Sequence, residues 1–187
     1  MMTENTYSPE IARRLSEASA LRESGQVVEA ISAYKSVLAE APDLPDSWYN
    51  LGWLQRRAGE PRLAIEAYDR ALGLGIKDPE EVHLNRGVIF ADDLNAPDLA
   101  IEAYRAALAL NPDFLQARFN LANSLEDIGD RDGAAAEYRT MLVDNPRETE
   151  PLARLANLST VNSADDGLVI RLESERSRPE ISKASSP

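Results

Sequence analysis

The chain has 187 residues, 43% of them hydrophobic and 28% charged, with one histidine, no cysteine and a formal net charge of −12. Disulfides, thiolate metal sites and thiol nucleophiles are thereby excluded. No stretch approaches the roughly 20 apolar residues that span a bilayer. The acidic balance argues against nucleic acid; a basic peptide or basic protein face suits it better, and a solvated surface with no such partner suits it best. The polar start, MMTENTYSPE, resembles neither a signal nor a transit peptide, so the expected location is the cytoplasm.

After an arm at 1–10, four helix–turn–helix units are predicted at 11–44, 45–79, 80–114 and 115–148. In the first, a helix around Ala18 leads through Gly25 to EAISAYKSVLA at 29–39. Arg14 and Glu17 stand in the slots that Trp48 and Leu51 fill in the second unit, so this helix is expected to face water as an N-terminal cap. The second unit runs DSWYNLGWLQRRAG at 46–59, then Pro61 and AIEAYDRALGL at 64–74. Its close, GIKDPEE, predicts an N-cap at Asp78, with Glu81 as the capping-box acid.

The third unit has EEVHLNRGVIFADDLN at 80–95, with Arg86 in a leucine slot and one extra residue before Asn95. Pro97 and AIEAYRAALAL at 100–110 follow. The fourth pairs LQARFNLANSLEDIG at 115–129 with AAAEYRTMLVD at 134–144. TEPLARLANLS at 149–159 starts a partial fifth unit or capping helix. Residues 160–187 read as a capping segment, in which Leu168, Val169, Ile170 and Leu172 form a short helix, and a flexible tail.

Two internal regularities carry the fold. The second helices align on Tyr34, Tyr68, Tyr104 and Tyr138, spaced by 34, 36 and 34, amid apolar residues three and four apart. The first helices align on Ala18, Gly52, Gly87 and Ala122. A glycine inside a helix costs about 1 kcal/mol against alanine, and close approach of a neighbouring helix is the reason expected for it. Gly25, Gly59, Asn95 and Gly129 mark the turns between paired helices.

Units of about 34 residues with this pattern, clearest in Trp48, Leu51, Gly52, Ala64, Tyr68 and Ala71, resemble the tetratricopeptide repeat (TPR). The resemblance covers residues 11–148 and implies an all-α fold: a right-handed α-solenoid of helical hairpins with a C-terminal capping helix. It also implies a non-catalytic scaffold for a protein or peptide. Acidic TPR arrays followed by a segment like LARLANLS also resemble the repeats preceding a sulfotransferase domain, which makes the N-terminal region of a larger enzyme a second reading. Self-association through the repeat ends is a third, and the oligomeric state is left open.

No catalytic constellation accompanies the repeats. His83 has no identifiable nucleophile or partner acid around it. Asp92-Asp93 and Asp165-Asp166 lack the alternating oxygen ligands of a calcium loop, so neither metal nor cofactor is expected. One register stands out: Asn50, Asn85 and Asn120, each 35 apart. Asparagine is a mediocre helix former, and propensity does not explain three at one register. In TPR superhelices this register lines the groove, which implies an asparagine ladder on the backbone of an extended peptide. The alternative is that each amide braces the stack. Tyr49, Trp53, Arg56, Arg57, Phe119 and Asn123 complete the expected groove. The places of a carboxylate clamp hold Leu15, Ser19, Asn50, Glu81 and Asn85, so only the asparagine matches a chaperone-tail binder.

Overall fold

A computed structural model describes residues 8–144, 148–158 and 174, and the regular structure among them is helical. The helices are α1 (Pro9–Glu23), α2 (Val27–Glu40), α3 (Pro45–Arg57), α4 (Pro61–Gly73), α5 (Pro79–Val88), α6 (Pro97–Leu110), α7 (Leu115–Asp127), α8 (Arg131–Asp144) and α9 (Thr149–Leu158). Residues up to Asn111 form one compact unit and those from Pro112 another. In the first, α1 pairs with α2, α3 with α4 and α5 with α6; in the second, α7 pairs with α8, and α9 packs on α8. The capping segment and tail expected at 160–187 lie outside the described residues apart from Ser174, as does the arm up to residue 7.

Local chemistry sets the ends of these helices. Five of them open on proline, whose fixed φ suits the first turn and whose missing N–H has no helical partner to lose there. Ser8 caps α1 by accepting from Ile11 N at 3.3 Å. At the turns, Gly25, Gly59 and Gly129 take φ of 77°, 77° and 84°, and Asn95 takes 49°. Asp78 does occupy the N-cap position of α5, but its carboxylate makes no cap hydrogen bond. Its backbone carbonyl instead accepts from Glu81 N at 3.2 Å, so the predicted capping box does not form.

Tyr34, Tyr68, Tyr104 and Tyr138 are at most 2% exposed, and the partner helix offers each a small residue. A Cβ added to Gly52 lies 2.8 Å from Tyr68 Cε1, and one added to Gly87 overlaps the Tyr104 ring. Such contact is the reason these helices accept the cost of glycine. Around them Leu51, Leu54, Val82 and Ile89 close the core of the first unit, and Leu121, Leu142, Leu152 and Leu155 that of the second. The first helix does not simply face water: Ile11 and Ala18 are buried. Arg14 reaches over α2 to Glu40 and Ser36, both at 2.7 Å, so an ion pair replaces the apolar contact expected in its slot.

The extra residue of the third unit is absorbed inside its first helix. After Val88 the chain makes a π-helical turn, Ile89–Asp93, with Leu94 N donating to Ile89 O at 3.0 Å. The closing bonds Glu60 N to Gln55 O and Asp130 N to Leu125 O span five residues, whereas Ala96 N to Phe90 O spans six. The acceptors occupy equivalent slots, so the insertion leaves the following helix in step.

Candidate functional site

Two sides of α3 have different chemistry. Trp48, Leu51 and Gln55 recur at helical spacing on one side, and Tyr49, Trp53 and Arg56 on the other. On the second side, Tyr49, Asn50 and Trp53 are partly exposed, neither sealed in the core nor fully solvated. Asn85 of α5 meets them by donating from Nδ2 to the Tyr49 hydroxyl at 3.0 Å. The Tyr49 ring packs on Tyr68 with centroids 5.6 Å apart. Burial raises the pKa of Tyr49 above the usual phenol value, and the bond from Asn85 offsets part of that rise. One of the predicted amides therefore braces neighbouring hairpins while its carbonyl stays available. Asn50 has no hydrogen-bond partner among the described residues.

The two arginines here play different parts. Arg56 is held by the π turn, with Nε 2.6 Å from Asp93 and Nη2 3.2 Å from Asp92. Its charge is largely answered within the protein. Arg57 is exposed and lies 4.8 Å over the Trp53 ring, a cation–π arrangement, and it has no ion-pair partner among the described residues. The acids holding Arg56 were not among the predicted site residues. Their signal was the extra residue before Asn95, which turns Asp92 and Asp93 toward α3.

In the second unit, α7 carries Phe119, Asn120 and Asn123. The Tyr138 hydroxyl lies 2.6 Å from Asn123 Oδ1 and 3.3 Å from Glu126 Oε2. Phe119 packs on the Tyr138 ring at 6.1 Å. Burial first, and then the Glu126 charge, raise the Tyr138 pKa, so this phenol stays protonated as a donor. Asn120 Oδ1 accepts a long bond from Gln116 at 3.4 Å and is partly exposed. Asn123 is thus committed to the fold, whereas Asn120 is only loosely held.

His83 stands apart from both patches, beside Arg86, Phe90 and Glu102. Burial and the Arg86 charge lower its pKa, against a smaller opposing effect of Asp69. Among the described residues no group of three His, Asp or Glu side chains is placed to hold a metal. No helix among them is long and apolar enough to cross a membrane.

Comparison with known proteins matches this architecture. The tetratricopeptide repeat family model matches residues 15–81 and 91–149. The mouse (Mus musculus) Protein O-mannosyl-transferase TMTC1 is 30% identical over 151 residues, 78% of this chain but 16% of that protein. A peroxisomal targeting signal receptor of Candida glabrata is 33% identical over 121 residues, 65% of this chain and 20% of the receptor. The chain thus spans about a fifth or less of the length of these relatives. Among solved structures, the MamA protein superposes with a TM-score of 0.75 at 22% identity, covering 95% of this chain and 98% of that one. YrrB, described as a TPR protein with an unusual peptide-binding site, gives 0.64 at 17% identity, covering 86% and 90%. At these identities the structural likeness speaks to the fold alone.

Proposed function

The chain belongs to the tetratricopeptide repeat family, and from that premise we propose that it is a non-catalytic scaffold binding an extended peptide of a partner protein. The observation that carries this is the second side of α3 with its neighbour α5. Partly exposed Asn50, the free carbonyl of Asn85 and the exposed Arg57 on Trp53 offer donors, an acceptor and a cation around aromatic surface. An amide supplies donor and acceptor together, so it matches a peptide group without reading its side chain. Trp53 and Arg57 then supply preference for an acidic or aromatic neighbour. The second unit offers a patch of its own in Phe119 and Asn120. A relative that is a peroxisomal targeting signal receptor and a structural neighbour described by its peptide-binding site are in keeping with this reading.

The test selects peptides from a random displayed library against the full chain, then titrates the best binder into variants. Asn50→Ala and Asn85→Ala are each expected to weaken binding about five-fold, about 1 kcal/mol per amide contact. Tyr49→Phe removes the bracing bond but keeps the amide, and is expected to bind at least as well as wild type. Arg57→Glu is expected to shift preference toward basic peptides. Wild-type affinity in Asn50→Ala and Asn85→Ala, with helicity unchanged, rejects the asparagine contacts.

A further inference from the structure

The other side of α3 bears a feature that repeat packing does not require. Gln55 is 4% exposed, and its Oε1 has no hydrogen-bond partner. The equivalent slots of the other units hold Leu21, Phe90 and Leu125, so an apolar residue suits the position. A buried amide oxygen left unpaired is costly, and native proteins seldom keep one without use. Gln55 lines a cleft of about 410 Å³ where α2, α3 and α4 meet, walled by Leu38, Trp48, Leu51 and Leu63. Lys35 and Arg70 stand exposed on its rim beside a single acid, Glu66. Neither cation has an ion-pair partner among the described residues.

The same place in the third unit is filled differently. Arg86 replaces Leu51 and Phe90 replaces Gln55, with the guanidinium 5.9 Å over the Phe90 ring and paired to Asp69 at 3.1 Å. The space left there is about 240 Å³. In the fourth unit Arg118 lies in the Trp48 slot and ties down to Glu137 at 2.7 Å and to Pro112 O at 2.6 Å. Only the cleft over Gln55 joins apolar walls, a buried acceptor and unpaired cations among these three.

We propose that this cleft is a second binding site, which takes an aromatic side chain bearing a ring N–H or O–H from a partner segment with flanking carboxylates. An indole or phenol is an apolar body with a donor at its edge, which suits leucine walls and a buried acceptor. The carboxylates beside it then meet Lys35 and Arg70, whose positive charge is local on a protein of net charge −12. The site is independent of the peptide surface on the opposite side of α3.

The probe is the peptide acetyl-Glu-Trp-Glu-amide, followed by methyl NMR of the full chain. Saturable shifts are expected at Leu38, Leu51 and Leu63. The benzothienyl analogue, which replaces the ring N–H with sulfur, is expected to bind about five-fold more weakly, the value of one neutral hydrogen bond. Acetyl-Lys-Trp-Lys-amide is expected to bind more weakly than the acidic peptide. Gln55→Leu, which installs the residue found at 21 and 125, is expected to erase the difference between indole and benzothienyl rings. The proposal is overturned if the leucines do not shift saturably, or if wild type binds both rings equally. Backbone-amide shifts centred instead on Tyr49, Trp53 and Asn85, followed by amide NMR in the same titration, also overturn it, by assigning the aromatic group to the other side of the helix.

Discussion

One methyl group separates glycine from alanine, and at position 87 the Tyr104 ring occupies the place that methyl needs. Gly87→Ala is therefore expected to destabilise the protein by about 1–3 kcal/mol, as overpacked core sites do. Tyr104→Ala removes a ring 2% exposed and is expected to cost about 3–5 kcal/mol. The combination Gly87→Ala with Tyr104→Leu should cost less than the sum, because the smaller side chain vacates the contested space. Chemical denaturation of Gly87→Ala, Tyr104→Leu and the double variant measures the coupling, and strict additivity removes the steric explanation. Close helix contact at this glycine was legible from the sequence, since glycine inside a helix needs such a cause, but that the Tyr104 ring makes the contact was not. The Tyr49–Asn85 bond was not legible, because it depends on where two side chains on different helices come to rest. His83 makes a second test at this scale. Its pKa is lowered by burial and by Arg86, so the unfolded chain takes up its proton first as pH falls. Stability from this group is present above the ordinary value near 6.5 and is lost as pH drops from there through the lowered folded value. The single histidine of the chain makes an NMR titration unambiguous. A folded pKa at or above that of a short His peptide contradicts the burial argument.

Among whole elements, the π turn shows how one inserted residue acquires a role. An insertion in a helix must either rotate everything beyond it or be absorbed where it stands. Here it is absorbed, and the price is one widened turn, Ile89–Asp93, while α6 keeps its pairing with α5. The same turn directs Asp92 and Asp93 at Arg56. The sequence marked the insertion but not its outcome, because periodicity counts residues and is blind to whether a helix widens or shifts. Replacing both acids with asparagine is expected to cost under about 1 kcal/mol, since Arg56 is 31% exposed and water screens the pair. It should strengthen binding of an acidic peptide, because Arg56 is then free. Isothermal titration of the double variant with an acidic library-selected peptide checks this, and unchanged affinity would show that Arg56 takes no part in binding.

At the level of the whole molecule, stability in a repeat chain is carried by neighbouring elements and need not be shared evenly. Each compact unit has its own buried residues, among them Tyr34, Tyr68 and Tyr104 in the first and Leu121, Tyr138 and Leu155 in the second. Tyr138 joins α7 to α8 through its ring contact with Phe119 and its hydroxyl beside Asn123 and Glu126. Tyr138→Ala thus removes both packing and a hydrogen bond, and is expected to cost about 3–5 kcal/mol within the second unit. Hydrogen exchange followed by peptide mass locates the loss. Amides of α7 and α8 are expected to exchange about a hundred-fold faster or more, since each 1.4 kcal/mol is about ten-fold in an opening equilibrium. Those of α2 should keep their wild-type protection, because no described contact of Tyr138 reaches them. Equal loss of protection in α2 would mean that the chain opens as one cooperative body, and that nearest-neighbour energetics do not govern it.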